Sequence, residues 1–193
     1  APGGLAPPAR PPRPTVVVAV SPPPAIPASV YAHGLTACVP TGRRNERAMT
    51  AGLKTLAYTD SVLALAEARA AGSDEALLLD TEGHLSEASA SNVFLCAGGR
   101  LETPPCSCGA LPGITRAAVF DCAAALGVAC VEREITFAEL CAADEAFLTS
   151  SLREIAPLVK VDDRTIGDGT PGPLTRRVMA AYREMVRREC GGS

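Results

Sequence analysis

Histidine is scarce in this sequence. Only His33 and His84 occur among 193 residues, which leaves little room for a histidine-based catalytic centre, and His84 lies in Glu82-Gly83-His84, which reads as an exposed turn. Long apolar runs are missing too: even the Ala-rich stretches are broken by Glu, Arg, Asp or Gly, so no segment reaches transmembrane length and no membrane partner is expected. Basic residues form no long block. The 18 Lys and Arg face 21 Asp and Glu, a formal net charge of −3, so binding of nucleic acid through a basic face is not expected. Segment 1–14, rich in Pro, Ala, Gly and Arg, lacks the apolar core of a signal peptide and reads as a linker. Zinc-site spacing is absent as well. Cys106-Ser-Cys108 has neither the two-residue gap nor histidine partners, so no metal is expected.

What is present suits a folded globular domain. Apolar residues make up 47% and charged residues 20%, too apolar a balance for disorder, and the length allows one sizeable core. Eight cysteines sit mostly in Ala/Val/Leu-rich segments, so Cys122, Cys130 and Cys141 read as small core residues in a reducing, cytoplasmic compartment. Thr15–Val20 is a β-branched run cut off by Pro22-Pro-Pro24 and predicts a buried strand. Residues 21–50 carry few periodic signals and end in the charged Arg43-Arg44-Asn45-Glu46-Arg47. A helix is predicted over Thr55–Ala71, with Leu56, Leu63, Ala66 and Ala70 near helical spacing and Gly72 as its stop. Strands follow at Ala76–Asp80, Asn92–Cys96 and Leu101–Thr103, separated by turns at Thr81–His84 and Ala97–Arg100. A second helix opens at Pro112-Gly113-Ile114-Thr115-Arg116 and closes at Gly127, followed by a strand over Val128–Ile135. Thr136, with Glu139 three residues on, caps a short helix to Ala143. Strands at Ala146–Thr149 and Ile155–Val161 and a last helix from Pro173 to about Arg188 complete a mixed α/β pattern with hairpins and crossovers.

Four features carry chemistry. Lys54 enters an apolar segment, where a lysine usually snorkels at the surface; as an imine-forming amine it would need partial burial to be neutral often enough to attack a carbonyl. Glu87, among the small hydroxyl residues of Leu85–Asn92, reads either as part of a polar turn between strands or as a carboxylate facing a protonated ring nitrogen. Gly113-Ile114-Thr115-Arg116 offers free backbone N–H groups at a helix start, a ready anion site. Thr149-Ser150-Ser151 supplies hydroxyl and amide donors to the same anion or merely caps a loop.

Taken in order, these pieces resemble the fold-type IV pyridoxal-phosphate enzymes, the class that holds branched-chain and D-amino-acid aminotransferases and 4-amino-4-deoxychorismate lyase. The resemblance rests on Leu53-Lys54-Thr55-Leu56-Ala57-Tyr58, Gly72-Ser-Asp-Glu-Ala76, Gly83 to Phe94, Thr103-Pro104, Leu111-Pro-Gly-Ile-Thr-Arg116, Ala143-Asp144-Glu145, Glu154-Ile-Ala-Pro157 and Ile166-Gly-Asp-Gly169, and covers residues 15–190. It implies an α/β (α+β) fold, a mixed sheet or pseudo-barrel flanked by helices, with residues 15–193 as the cofactor-binding large domain and the family's small N-terminal domain absent.

It also implies pyridoxal 5'-phosphate as cofactor. Lys54 resembles the lysine that forms the internal aldimine and then moves the substrate proton. Tyr58 resembles the phenol on the cofactor's 3-oxygen, and Glu87 the carboxylate on the pyridine nitrogen. Ile114, Thr115 and Ser151 resemble the phosphate clamp, and Leu152 a residue whose amide holds the substrate carboxylate. Branched-chain members usually read Gly-Thr-Ala-Ala where this chain reads Ser150-Ser-Leu-Arg153, a departure from their pattern. The implied activity is amino transfer between an amino acid of branched-chain or D type and a 2-oxo acid, in a homodimer. The alternatives are the lyase reaction that releases pyruvate and a non-catalytic binding or assembly domain.

Overall fold

The computed structural model of the chain describes residue 13 and residues 15–191; the segment 1–14 read as a linker lies almost wholly outside them. The elements run α1 (Ala28–His33), β1 (Leu35–Cys38), α2 (Thr59–Ala70), β2 (Glu75–Leu79), β3 (Leu85–Ala88), β4 (Asn92–Ala97), β5 (Arg100–Thr103), a 3₁₀ turn (Cys106–Cys108), α3 (Ile114–Ala125), β6 (Cys130–Glu132), α4 (Phe137–Cys141), β7 (Glu145–Ser150), β8 (Glu154–Val161), β9 (Arg164–Thr165) and α5 (Pro173–Cys190). Nine strands form one mixed sheet in the order β3-β2-β1-β8-β7-β4-β5-β6, with β9 beside β8, curled into a half-barrel flanked by helices. β1 lies parallel to both β2 and β8, while β4, β7 and β8 pair antiparallel.

The middle strands are apolar on both faces because both faces are covered. In β4, Val93 and Leu95 point into one cluster with Leu148 and Leu158, while Phe94 and Cys96 point into the other with Val119, Cys122 and Val178 from α3 and α5. Phe94 pairs with Phe147 across the β4–β7 ladder, and their rings stack with centroids 5.1 Å apart. Such buried aromatic pairs contribute packing beyond their area alone.

Several expectations are met and several corrected. The Thr136–Glu139 capping box is present in both directions. Thr15–Val20 forms no strand, and Val16, Val17, Val18 and Val20 are exposed, because β-branched residues need a partner strand and the described residues offer none. The predicted helix at Thr55 begins only at Thr59, and its buried stripe is Ser61, Ala64 and Ala68 rather than the leucines; Leu63 is exposed. Small residues face β1 and β2 there, so the helix sits close on the sheet. Leu85–Ala88, read as part of a polar turn, is a fully buried strand, and β1 and α1 lie in the segment where no periodicity shows. Cys122 is buried, but Cys130 and Cys141 are only half-buried, and the deeply buried thiols include Cys38, Cys96 and Cys108. No helix among the described residues is long and apolar enough to cross a membrane.

β7 and α5 are fastened by one side chain. Glu145, at the start of β7, accepts the backbone N–H of Leu174 (2.9 Å) and of Thr175 (2.7 Å), the orphan donors of the first turn of α5. Glu145→Ala leaves both amides without a partner. Its unfolding free energy should drop by roughly 1–3 kcal/mol, read from the urea midpoint, with helix content retained; an unchanged midpoint would show that water replaces the cap.

Candidate functional site

Four parts of the chain meet around a cavity of about 880 Å³: the irregular segment before α2, the β3–β4 connection, the start of α3 and the β7–β8 turn. Every residue given a role by the resemblance lines it: Lys54, Tyr58, Glu87, Ile114, Thr115, Ser151 and Leu152. Arg116, in the same helix start, does not and pairs with Glu132.

Lys54 precedes α2 on irregular backbone, and Tyr58 is the residue before its first turn. The Lys54 ammonium donates to the Tyr58 hydroxyl at 2.8 Å and stands 5.1 Å from its ring centre. Lys54 is exposed, not half-buried as an imine-forming amine was expected to be. Its position is set instead by the phenol four residues on.

Glu87 is the charged centre of the cavity floor. The middle of β3 buries it, and burial pushes its carboxyl above the ordinary carboxylate range, opposed by the Leu111 N–H, Arg44 and Lys54. Arg44 Nη2 lies 2.7 Å from Oε1, and the Leu111 N–H donates to Oε2 at 2.8 Å. Each carboxylate oxygen has a second acceptor site, so one further donor can be taken from the cavity. Arg44 is itself anchored: its N–H donates to Leu79 O at 2.7 Å and its Nε to Gly109 O at 3.1 Å. Gly109 has φ +83°, and a Cβ there would meet Arg44 Cγ at 2.9 Å; glycine gives the arginine stem its passage.

The third wall is the N-terminus of α3. Gly113 caps it with no side chain, so the first-turn N–H groups of Ile114 and Thr115 have no side-chain cap. Asn92 donates to Leu111 O at 2.8 Å and occupies the space a Cβ on Gly113 would need. Thr149 is buried on the same cavity, and its Oγ1 has no hydrogen-bond partner among the described residues. An uncapped helix start with an orphaned hydroxyl beside it can receive an oxyanion. Ser151 stands exposed in the adjoining turn, and Leu152 and Ile114 are exposed beside the mouth.

Sequence reasoning missed Arg44, Asn92 and the Leu111 amide. Arg44 lies in a charged run whose neighbour Arg43 only reaches local carbonyls, and nothing in the sequence tells the two apart. The cysteines stay outside the chemistry: burial, then nearby Asp80, pushes the Cys108 thiol up to about 12. No group of three or more metal-ligating side chains forms among the described residues.

Known proteins share this arrangement of sequence and fold. The family model described as Amino-transferase class IV matches residues 1–161. A branched-chain-amino-acid aminotransferase of Pseudomonas aeruginosa is 42% identical over 138 residues, 72% of this chain and 45% of its own length. The crystal structure of the Escherichia coli branched-chain amino acid aminotransferase superposes with a TM-score of 0.79 at 34% identity, over 81% of this chain and 53% of that one. The enzyme from Thermobaculum terrenum, solved in its PLP-bound holo form, gives a TM-score of 0.79 at 39% identity, over 84% and 54% of the two chains. The chain thus spans about half the length of the relatives it matches.

The Arg44–Glu87 pair generates a pH signature. Removing the guanidinium leaves Glu87 buried without its cation, so its folded pKa, already raised, goes higher. A carboxyl with a raised folded pKa binds its proton more tightly folded than unfolded, so stability falls as pH rises from the unfolded pKa, about 4.3, through the folded one. Arg44→Leu should lose roughly 1–3 kcal/mol more stability at pH 8 than near pH 4, in denaturant titrations at both values, on top of a pH-independent loss from its bond to Gly109 O. A pH-independent difference would show that the arginine acts by packing alone.

Proposed function

The chain belongs to the class IV aminotransferase family, and from that membership we propose that it holds pyridoxal 5'-phosphate in the cavity and transfers an amino group between an amino acid and a 2-oxo acid. The observation that carries this reading is the meeting, in one cavity, of a lysine, a buried carboxylate with an acceptor site to spare, and an uncapped helix start beside an orphaned hydroxyl. Those three match the three polar ends of the cofactor: aldehyde, ring nitrogen and phosphate. The residues present therefore fit it.

Bound there, pyridoxal phosphate supplies an electron-accepting pyridine ring. The protein's own groups do the rest. Ile114 and Thr115 bind the phosphate through their backbone N–H groups, with Thr149 and Ser151 offering hydroxyls. Glu87, fixed by Arg44 and Leu111, holds a proton on the ring nitrogen; its desolvated site makes that charge-assisted hydrogen bond strong. Tyr58 orients the Lys54 amine, which takes up the proton from the substrate Cα and returns it. The Leu152 amide, in the same cavity lining, holds the substrate carboxylate in this reading. The matched relatives, named as branched-chain aminotransferases, support amino transfer over the pyruvate-releasing lyase reaction.

Lys54 and Lys160 are the two lysines of the sequence, and Lys160 stands on β8 away from the cavity lining. Borohydride added with pyridoxal phosphate should attach a pyridoxyl group to Lys54, found by peptide mass. Lys54→Ala should lose the label and lower amino transfer by about 10³-fold or more, the scale on which loss of a covalent-catalysis residue acts. Labelling of Lys160 in its place would overturn the assignment.

We also place the protein in the cytoplasm, as a homodimer. Free cysteines suit a reducing compartment. Met49, Leu53, Leu56, Leu63, Ile114 and Leu152 are exposed large apolar residues, and apolar side chains left exposed in this number suit burial against another protein face. Sedimentation equilibrium should show a concentration-dependent dimer at about 10 µM, corresponding to a modest association energy; a single monomeric species throughout would reject it.

A further inference from the structure

Glu75 has no place in the chemistry described so far. It opens β2, whose remaining residues are Ala76, Leu77, Leu78 and Leu79, and its side chain is wholly buried. A carboxylate in an apolar strand is costly to bury unless each oxygen finds a partner. Here each does. Oε1 accepts the Ala76 N–H at 3.0 Å and the Ser89 hydroxyl; Oε2 accepts Arg153 Nη1 at 2.8 Å.

Those partners belong to two different walls of the cavity. Ser89 lies in the β3–β4 connection, where Ser89, Ala90 and Ser91 line the cavity, and Arg153 closes the β7–β8 turn, where Ser150 to Arg153 line it. Glu75 itself does not line the cavity. The β7–β8 turn needs holding. Its backbone ends at Glu154 in the left-handed region, φ +54°, a conformation costly for a non-glycine residue. The Tyr31 hydroxyl donates to Arg153 O at 3.2 Å, and Arg153 N–H donates to Ser150 Oγ at 3.2 Å, so the Arg153 side chain is the tie from this turn to the sheet beneath.

We propose that Glu75 is a positioning residue: one buried carboxylate, behind the cavity, that fixes the Ser89–Ser91 and Ser150–Arg153 walls relative to each other and so sets the substrate-facing shape. The inference rests on the cavity being the site of amino transfer. Beyond the Asn92–Thr149 pair of the β4–β7 ladder, the two walls are bridged by this one side chain, so their motions are coupled. Loss of that group loosens both and displaces the donors of the 150–153 turn that face the substrate carboxylate, while Lys54, Glu87 and the start of α3 keep their own anchors.

Glu75→Leu/Arg153→Leu is the informative variant. It removes the ion pair as a unit and so leaves no unpaired charge, although the Ala76 N–H and the Ser89 hydroxyl lose their acceptor. Glu75→Gln, which keeps the shape, serves where the double variant does not fold. Hydrogen exchange is expected to rise about tenfold at the backbone amides of 89–91 and 151–153 together, with β2 still protected. In kinetics, KM for the amino acid should rise about tenfold, with kcat within a factor of about three and cofactor affinity unchanged, the pattern of lost ground-state positioning. Faster exchange at one turn only, or a fall in kcat at constant KM, overturns the proposal. Exchange is read without turnover. Coupled loosening in a chain that transfers no amino group would therefore sink the functional reading and leave the coupling standing.

Discussion

A carboxylate buried in a β-strand is the constraint on which this cavity turns. Glu87 occupies the centre of β3, where an apolar side chain would be easier to bury, and its charge is sustained by one guanidinium and one backbone amide. Each of those partners recruits further structure. Arg44 must thread past Gly109, so the loop before α3 takes a left-handed glycine; the Leu111 amide must face the strand, so Asn92 grips the Leu111 carbonyl from the other side. The start of α3 is thereby fixed against the sheet without a side-chain cap, and its N–H groups stay open to the cavity. An expensive charge and an open helix end belong to one solution.

Much of the scaffold was legible. α3, α4 and α5 announce themselves through Gly113 and Gly127, the Thr136–Glu139 box and Pro173, all local signals of helix ends. β4, β7 and β8 show as short apolar runs, which is how strands covered on both faces read. What stayed hidden depends on distant partners. β3 holds one leucine beside serine, glutamate and alanine, and the pairing with β2 and the reach of Arg44 make it a buried strand. β1 is four residues of no particular pattern, made a strand by parallel neighbours on both sides.

The cavity divides the same way. Lys54, Glu87 and the Gly113-Ile-Thr115 start could be picked out because each chemistry leaves a local trace, a lone amine, an acid among hydroxyls, a glycine before a helix. Arg44, Asn92 and Glu75 leave none. They act through a neighbour, and a charged residue that holds another residue reads in sequence like any solvated charge.

Strand register offers a different view of the same architecture. Asn92 pairs with Thr149 at one end of the β4–β7 ladder, and Phe94 pairs with Phe147 two residues further in. With both faces buried, polarity gives no penalty for sliding one strand along the other. Size does. A one-residue slip of β4 would turn Phe94 out of the layer beneath α3 and α5 and drive Val93 or Leu95 into the space it left beside Phe147. The stacked rings therefore act as a vernier for the cavity. By locking the ladder at its middle, they keep the asparagine that holds the Leu111 carbonyl and the threonine with the unpartnered hydroxyl at the same level, although neither ring lines the cavity.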